Sequence, residues 1–418
     1  MKKCYAHSKE GCPEEEWQPL DEHLRNVAEK AAEFAEEFQS ADWVWNAGWL
    51  HDLGKATNAF QSYLRRCNEL DDSGYDVDGS LSNHASTGAA LAEDTMGLSG
   101  RILAYLLAGH HTGLPDWSAA TTGNASLSCR LPEGRHNLER AGDYAEEIIK
   151  RLRPLARPPA FVKPDGYHLW IRMLFSCLVD ADRLDTEQFC DMAKGSLRNI
   201  FPSLGQLAPR FFQALDNLEI HAPKTDVNRI RAEIRQTCET AAGKPSGIYS
   251  LSVPTGGGKT LSAMAFAMRH AIQHKKRRII YVIPYTSIIE QTAKTLAEIF
   301  GRENVVEHHS NLDPSKASPR AELAAENWDA PIIVTTNVQF FESLYSAKTG
   351  RARKLHNVVN SVVILDEAQL LPPLLLTPCV DAMNQLVKDY GVTMVLATAT
   401  QPALPNLTMP VEIIPEAM

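Results

Sequence analysis

From Leu20 the apolar residues fall at Leu20, Leu24, Val27, Ala31, Phe34 and Phe38, a spacing that predicts an amphipathic helix. Further helical runs are expected from Trp43 to Leu50, from the capping residue Ser82 through Leu91, over Arg101 to Leu107, and from about His168 to Leu184. The stretch Arg153-Pro154-Leu155-Ala156-Arg157-Pro158-Pro159 reads as a loop before the last of these. The second half changes period. Short β-rich runs stand at Ile248–Val253, Ile279–Ile283, Ile332–Thr335, Val362–Leu365 and Thr393–Ala397, with helical segments between them. That alternation predicts βαβ units and a parallel sheet. The chain is therefore expected to be multidomain, with an all-α part over 1–215, a linker and the helix it leads into over 216–245, and an α/β lobe over 246–418. Ala222-Pro223-Lys224-Thr225-Asp226 looks like the linker itself.

Size agrees, since 418 residues exceed one ordinary core. Hydrophobic content of 44% and charged content of 22% describe a soluble globular protein. The opening segment lacks the apolar core of a signal peptide, and no apolar run is long enough to span a bilayer. The eight cysteines are scattered and none forms a C-x-x-C pair, which suits reduced thiols in a cytoplasm. A cytoplasmic protein with no membrane partner is the expectation. The net charge of −9 argues against a surface coated for nucleic acid, but leaves room for a local basic groove.

Ser252-Val253-Pro254-Thr255-Gly256-Gly257-Gly258-Lys259-Thr260 follows a strand run and opens a helical run, the context of a phosphate-binding loop. Thr255, Gly256, Gly257 and Gly258 let backbone N–H groups face phosphate oxygens. Lys259 supplies charge to the β and γ phosphates of ATP, and Thr260 a hydroxyl for Mg²⁺. Val362-Val363-Ile364-Leu365-Asp366-Glu367-Ala368-Gln369 is the matching acidic strand end, delivering Asp366 toward Mg²⁺ and Glu367 toward the attacking water. Thr398-Ala399-Thr400, Pro284-Tyr285-Thr286 and Thr335-Thr336-Asn337 lie at other strand ends, where hydroxyls and N–H groups suit a nucleic-acid backbone. The basic run His274 to Arg278 is expected to solvate a helix end.

The first half gathers a different chemistry. His51-Asp52-Leu53-Gly54-Lys55 closes a helical run; His23 falls on the buried side of its helix; His84 sits at the start of another. His110 and His111 end a third, and Asp182 lies on an apolar helix face. A carboxylate on such a face is costly unless something pairs with it, and a metal would. His23, His51, Asp52, His84, His110, His111 and Asp182 are enough ligands for two transition-metal ions, with Fe, Mn, Co or Ni suited to the donor set. Lys55 would neutralise phosphate charge or orient a ligand, and His51, Asp52 and Lys55 are the expected catalytic groups beside Glu367. Asp180 competes with Asp182 for the last ligand, and Asp182 is preferred because its helical neighbours are more apolar. His7, His136, His168, His221 and His356 read as structural or exposed.

With these motifs in order, the chain resembles the CRISPR-associated type I interference nuclease–helicase. The resemblance rests on Tyr5-Ala6-His7-Ser8, the His51-to-Lys55 box, His110-His111-Thr112-Gly113, Ala181-Asp182-Arg183-Leu184, the Thr255-to-Thr260 loop, Asp366-Glu367-Ala368-Gln369 and Ala397-Thr398-Ala399-Thr400-Gln401-Pro402. It runs across nearly the whole chain. Gln369 stands where the family more often has His. The resemblance implies an HD-type nuclease domain holding two transition-metal ions, followed by a RecA-like lobe of a superfamily 2 DExD/H-box helicase that binds ATP and Mg²⁺. It implies degradation of foreign DNA: recruitment by an RNA-guided surveillance complex, then cutting of the displaced single strand. A helicase of this kind has a second RecA-like lobe, which needs on the order of 150 residues. Only 18 residues follow Thr400, so the motor is expected to be incomplete in this sequence. The alternative function is an HD phosphohydrolase of small nucleotides with the P-loop lobe as a regulatory sensor.

Overall fold

The computed structural model describes residues 3–68, 84–118, 125–155, 157–198, 200–254, 256–310, 318–399 and 404–414. Ser82, Thr255 and the Thr400-to-Pro402 part of the last motif lie outside the described residues. The chain forms two compact units: residues 1–196 with 346–356, and residues 197–345 with 357–418.

The first unit is helical. Its main elements are α1 (Leu20–Ala35), α2 (Ala41–Leu50), α3 (Asn58–Cys67), α4 (Ala85–Gly109), α5 (Leu127–Ala141), α6 (Asp143–Ile149), α7 (Tyr167–Cys190) and α8 (Met192–Gly195). A small antiparallel ribbon, β1 (Tyr5–His7) with β2 (Gln18–Pro19), precedes them. Leu20, Leu24, Val27 and Ala31 are all fully buried, so the helical spacing that begins the chain is indeed the packing face of α1. The two helices expected on either side of residue 97 are both present within α4, which breaks at Gly97 (φ 57°, ψ −126°), a backbone state that glycine takes without a Cβ penalty. α4 approaches α2 closely: a Cβ on Gly88 would lie 1.9 Å from the Leu50 carbonyl oxygen.

The second unit begins with α9 (Leu204–His221) and α10 (Asp226–Ala241). Thr225 caps α10 by accepting from the Asn228 N–H. The boundary expected at 215 falls within α9; the compact first unit ends at Ser196 instead. The reason is apolar: Leu204, Leu207, Phe211 and Leu215 of α9 join the core of the sheet lobe, where the Phe211 ring stacks on Phe300 at 5.1 Å.

The remaining elements are β3 (Ile248–Ser252), α11 (Lys259–Gln273), β4 (Arg278–Ile283), α12 (Thr286–Phe300), β5 (Val305–His308), α13 (Pro319–Asn327), β6 (Ile332–Thr336), α14 (Asn337–Tyr345), α15 (Thr349–Ala352), β7 (Ser361–Asp366), α16 (Leu376–Asp389), β8 (Thr393–Thr398) and β9 (Val411–Glu412). Among these, α15 belongs to the helical unit. The strands form a seven-stranded sheet in the order β5-β6-β4-β7-β8-β3-β9, every pairing parallel. All five expected strands are present to within a residue. The central runs are buried on both faces, as a parallel sheet covered by helices requires. No helix among the described residues is long and apolar enough to cross a membrane.

Candidate metal centre and nucleotide loop

In the helical unit the seven residues expected as ligands come together from four helical segments. They form two groups that share one carboxylate. His23, His51, Asp52 and Asp182 make one, Asp52, His84, His110 and His111 the other, and within each the ligand atoms lie within 4.8 Å of one another. Asp52 Oδ2 is 3.3 Å from His23 Nε2 and 3.4 Å from His51 Nε2. Its Oδ1 is 3.1 Å from His84 Nε2 and 3.3 Å from His110 Nε2. Asp182 Oδ1 closes the first group at 3.5 Å from His23 Nε2.

Backbone and carboxylate acceptors fix the orientation of these rings. His51 Nδ1 lies 2.8 Å from the Gly48 carbonyl and His110 Nδ1 2.6 Å from the Leu107 carbonyl. His23 Nδ1 lies 2.7 Å from Asp185 Oδ2. Carbonyls and ionised carboxylates only accept, so each Nδ1 carries the proton and donates it. A neutral ring then turns a bare Nε2 lone pair inward. The facing nitrogens are close: His23 and His51 Nε2 are 3.1 Å apart, His84 and His111 Nε2 2.8 Å.

For the buried pair His23 and His51, two lone pairs pointed at each other call for a cation. The orphaned atoms agree. Asp52 Oδ1, Asp52 Oδ2 and His110 Nε2 are buried and make no hydrogen bond. Lys55 Nζ sits 2.7 Å from Asp52 Oδ2 as an ion pair, but not in hydrogen-bonding direction. Its directed bond goes to the Ala6 carbonyl of β1 at 3.2 Å.

The electrostatics follow the same division. Burial opposes a charge on His23, but the nearby carboxylates of Asp182, Asp185 and Asp52 outweigh it and raise its pKa to about 10. His51 is raised to about 9, again against burial, chiefly by the carboxylates of Asp52 and Asp182. Burial also works against ionised Asp52 and Asp182. Asp52 is nonetheless held well below the usual carboxylate range by Lys55, His51 and His84, and Asp182 by His23 and His51. At the other end the charge of His110, and then burial, push His111 down to about 3, while burial lowers His84. The buried end thus demands positive charge, which protons supply when no ion does.

The two aspartates point in different directions. Asp182 faces the histidines, whereas Asp180 pairs with Arg353 at 2.7 Å and lies 3.5 Å from His356 Nε2. Two further residues belong to the centre. Asp185 holds His23, and is itself held by Gln18 Nε2 at 2.7 Å and Asn26 Nδ2 at 2.9 Å. Its signal was a carboxylate one turn beyond Asp182 on the same helix face. His7, read from sequence as having no company, lies edge-on to His23 at 4.9 Å between ring centroids. The short ribbon β1–β2 brings it there, and only Tyr5-Ala6-His7-Ser8 hinted at that.

In the sheet lobe, β3 and β7 both flank β8, so their carboxyl ends open side by side. Gly256 (φ 83°) and Gly258 (φ 81°) take left-handed backbone conformations that curl the loop before Lys259 opens α11. Lys259 Nζ is 2.9 Å from Asp366 Oδ1 and also pairs with Glu367. Burial works against the charge on Lys259, but these two carboxylates raise its pKa, and Lys259 in turn lowers that of Glu367. The Tyr281 phenol of β4 donates to Asp366 Oδ2 at 3.2 Å. Tyr281 was not singled out in the sequence, where it is one more large residue in an apolar strand. Arg231 of α10 donates from Nε to the Gly256 carbonyl at 2.9 Å. The basic run is less free than expected: Arg278 is buried against the Asn357 carbonyl and pairs with Asp329 at 3.1 Å.

Comparison with known proteins joins the two sites. Residues 8–165 match the family model "Cas3, HD domain", and residues 235–407 match "DEAD/DEAH box helicase". The CRISPR-associated nuclease/helicase Cas3 of Haloferax volcanii is 25% identical over 442 residues, covering 86% of this chain and 45% of that protein. The crystal structure of T. fusca Cas3-ADP matches with a TM-score of 0.60 at 18% identity, over 95% of this chain and 50% of that one. A chain from a CRISPR RNA-guided surveillance complex, pre-nicking, matches with a TM-score of 0.56 at 19% identity, over 95% and 48%. At such identity the structural likeness concerns the fold. The chain spans about half the length of the relatives it matches. The chain thus joins an HD domain that matches the Cas3 model to a DEAD/DEAH-box helicase domain, on a fold shared with Cas3.

Proposed function

We propose that the helical unit is a metal-dependent nuclease for single-stranded DNA, and that the sheet lobe binds ATP with Mg²⁺ as part of a helicase motor, the whole acting in CRISPR interference. The observation that carries the nuclease reading is Asp52, whose two carboxylate oxygens each face a separate histidine group. His23, His51, Asp52 and Asp182 would hold one transition-metal ion, and Asp52, His84, His110 and His111 a second, with Fe, Mn, Co or Ni suited to nitrogen-rich donors. Bound ions of this kind supply Lewis acidity toward a phosphodiester and lower the pKa of water.

The protein's own contribution is placement. Asp52 ties the two groups at one spacing. Lys55 holds Asp52 from the side of β1 and brings positive charge to the site. His111, exposed, and His84, half-buried, border the route from solvent. In the lobe, Lys259 would leave its carboxylates for the β and γ phosphates. Thr255, Gly256, Gly257 and Gly258 would cradle those phosphates, Thr260 and Asp366 would hold Mg²⁺, and Glu367 would orient the attacking water.

The matched Haloferax volcanii protein is named a nuclease/helicase, and one similar chain sits in an RNA-guided surveillance complex; both support the displaced strand of an R-loop as substrate and such a complex as partner. A cytoplasmic location fits that role. The small-nucleotide alternative gains nothing from these relatives. The deciding experiment measures metal content and cleavage of a long single strand for the chain and for Asp52→Ala. The variant should lose bound metal and all cutting; cutting retained at unchanged metal content overturns the reading.

A further inference from the structure

The two ligand groups differ in ways that bear on how each would hold an ion. The group of His23, His51, Asp52 and Asp182 is buried at every member. It offers two nitrogens and two carboxylates. The group of Asp52, His84, His110 and His111 offers three nitrogens and only the shared carboxylate, and it opens to solvent through half-buried His84 and exposed His111. For a divalent cation, a second anionic donor in a dry site adds direct Coulomb attraction that a neutral imidazole does not.

The support behind the ligands differs as well. A metal-bound imidazole becomes a better donor, and a fixed one, when its far N–H meets a carboxylate. His23 has that arrangement, with Asp185 Oδ2 at 2.7 Å from Nδ1. Asp185 cannot swing away: Gln18 donates to Oδ2 and Asn26 to Oδ1, at 2.7 and 2.9 Å. His110, in the other group, rests its far nitrogen on the neutral Leu107 carbonyl.

Resting on the two-ion reading above, we propose that the two positions are unequal: the buried one retains its ion, the open one exchanges it, and Asp185 is the positioning residue that sets the difference through His23. The open position is then the one a substrate phosphate can reach. Asp185 touches no ion itself.

The test is a Mn²⁺ titration of the chelator-stripped 418-residue protein, followed by calorimetry and by competition with a chelating dye. Two classes of affinity are expected. Asp185→Ala should weaken the tighter class by about 10- to 100-fold and leave the weaker class in place. Asp185→Asn, which keeps the size and one acceptor oxygen, should fall between. His111→Ala should remove the weaker class alone. Metal-free thermal melts of all variants separate loss of binding from loss of folding. Two ions bound in a single class, or both classes weakened equally by the Asp185 variants, overturn the inequality while leaving the nuclease reading intact. No bound Mn²⁺ at all would overturn the nuclease reading itself.

Discussion

Arg353 closes on Asp180 with Nε 2.7 Å from Oδ1, and both side chains are buried within the helical unit. Asp180 lies two positions from Asp182 on α7, yet the two carboxylates serve different ends. Removing one partner of a buried ion pair leaves a charge in a poor solvent and costs about 3–5 kcal/mol. Arg353→Ala is therefore expected to lower the melting temperature of the helical unit without removing metal-binding capacity. Asp182→Ala should do the opposite, abolishing binding of one ion with a smaller effect on the metal-free melt. Metal stoichiometry and thermal melts on both variants check the assignment; metal loss in Arg353→Ala with an unchanged melt would contradict it.

Gly88 is expected to be intolerant although it binds nothing. An alanine there would place its Cβ 1.9 Å from the Leu50 carbonyl oxygen, next to His51. Forcing an extra methyl into such a contact costs about 1–3 kcal/mol. Because α4 begins beside His84, the displacement should also loosen the junction between the two ligand groups. Gly88→Ala should melt earlier and hold less metal than the parent, measured by the same two assays.

The nucleotide loop should be separable from cutting. Lys259→Ala removes a cation that in this structure bridges Asp366 and Glu367 and that would meet phosphate when nucleotide binds. A charged hydrogen bond contributes about 1.5–3 kcal/mol, or roughly 10- to 100-fold in Kd. Binding of a fluorescent ATP analogue should weaken by that factor, while cleavage of bare single-stranded DNA without ATP stays at the parent rate. Loss of that cleavage would mean the lobe and the nuclease act as one.

Tyr281→Phe is a gentler probe. It keeps the buried ring and deletes the hydroxyl that meets Asp366. One hydrogen bond of this kind contributes about 0.5–1.5 kcal/mol. The affinity for Mg²⁺–nucleotide should fall by less than for Lys259→Ala, and the sheet should remain folded by circular dichroism.

Much of this was legible in the sequence because it is local. The face of α1 carries His23 three residues after Leu20, and Asp182 stands out as a charge on an apolar face. The loop ending at Lys259 announces itself by strand, glycines and helix in order. What could not be read depends on distant partners. Asp185 gains its role from Gln18 and Asn26, more than 150 positions earlier. His7 matters only because a two-strand ribbon folds it against His23. Strand β5 contains just Val305 and Val306 as buried apolar residues, too short a run to announce a strand. The division of the compact units at Ser196 could not be read because the apolar stripe of α9 looks the same whichever core it joins.

The segment 346–356 has a practical consequence. It arrives late in the chain, between α14 and β7, yet it completes the helical unit, placing Arg353 on Asp180, His356 on Ser176 and Thr349 on Arg183. The helical unit is thus not contiguous in the sequence. A fragment stopping at any single point before residue 346 would strip α7 of these counterparts and remove the buried guanidinium that Asp180 pairs with. Such a fragment should express poorly or aggregate, and adding the missing peptide in trans should partly restore it. Portability as a stand-alone cassette would require grafting those eleven residues back, not merely choosing a better terminus.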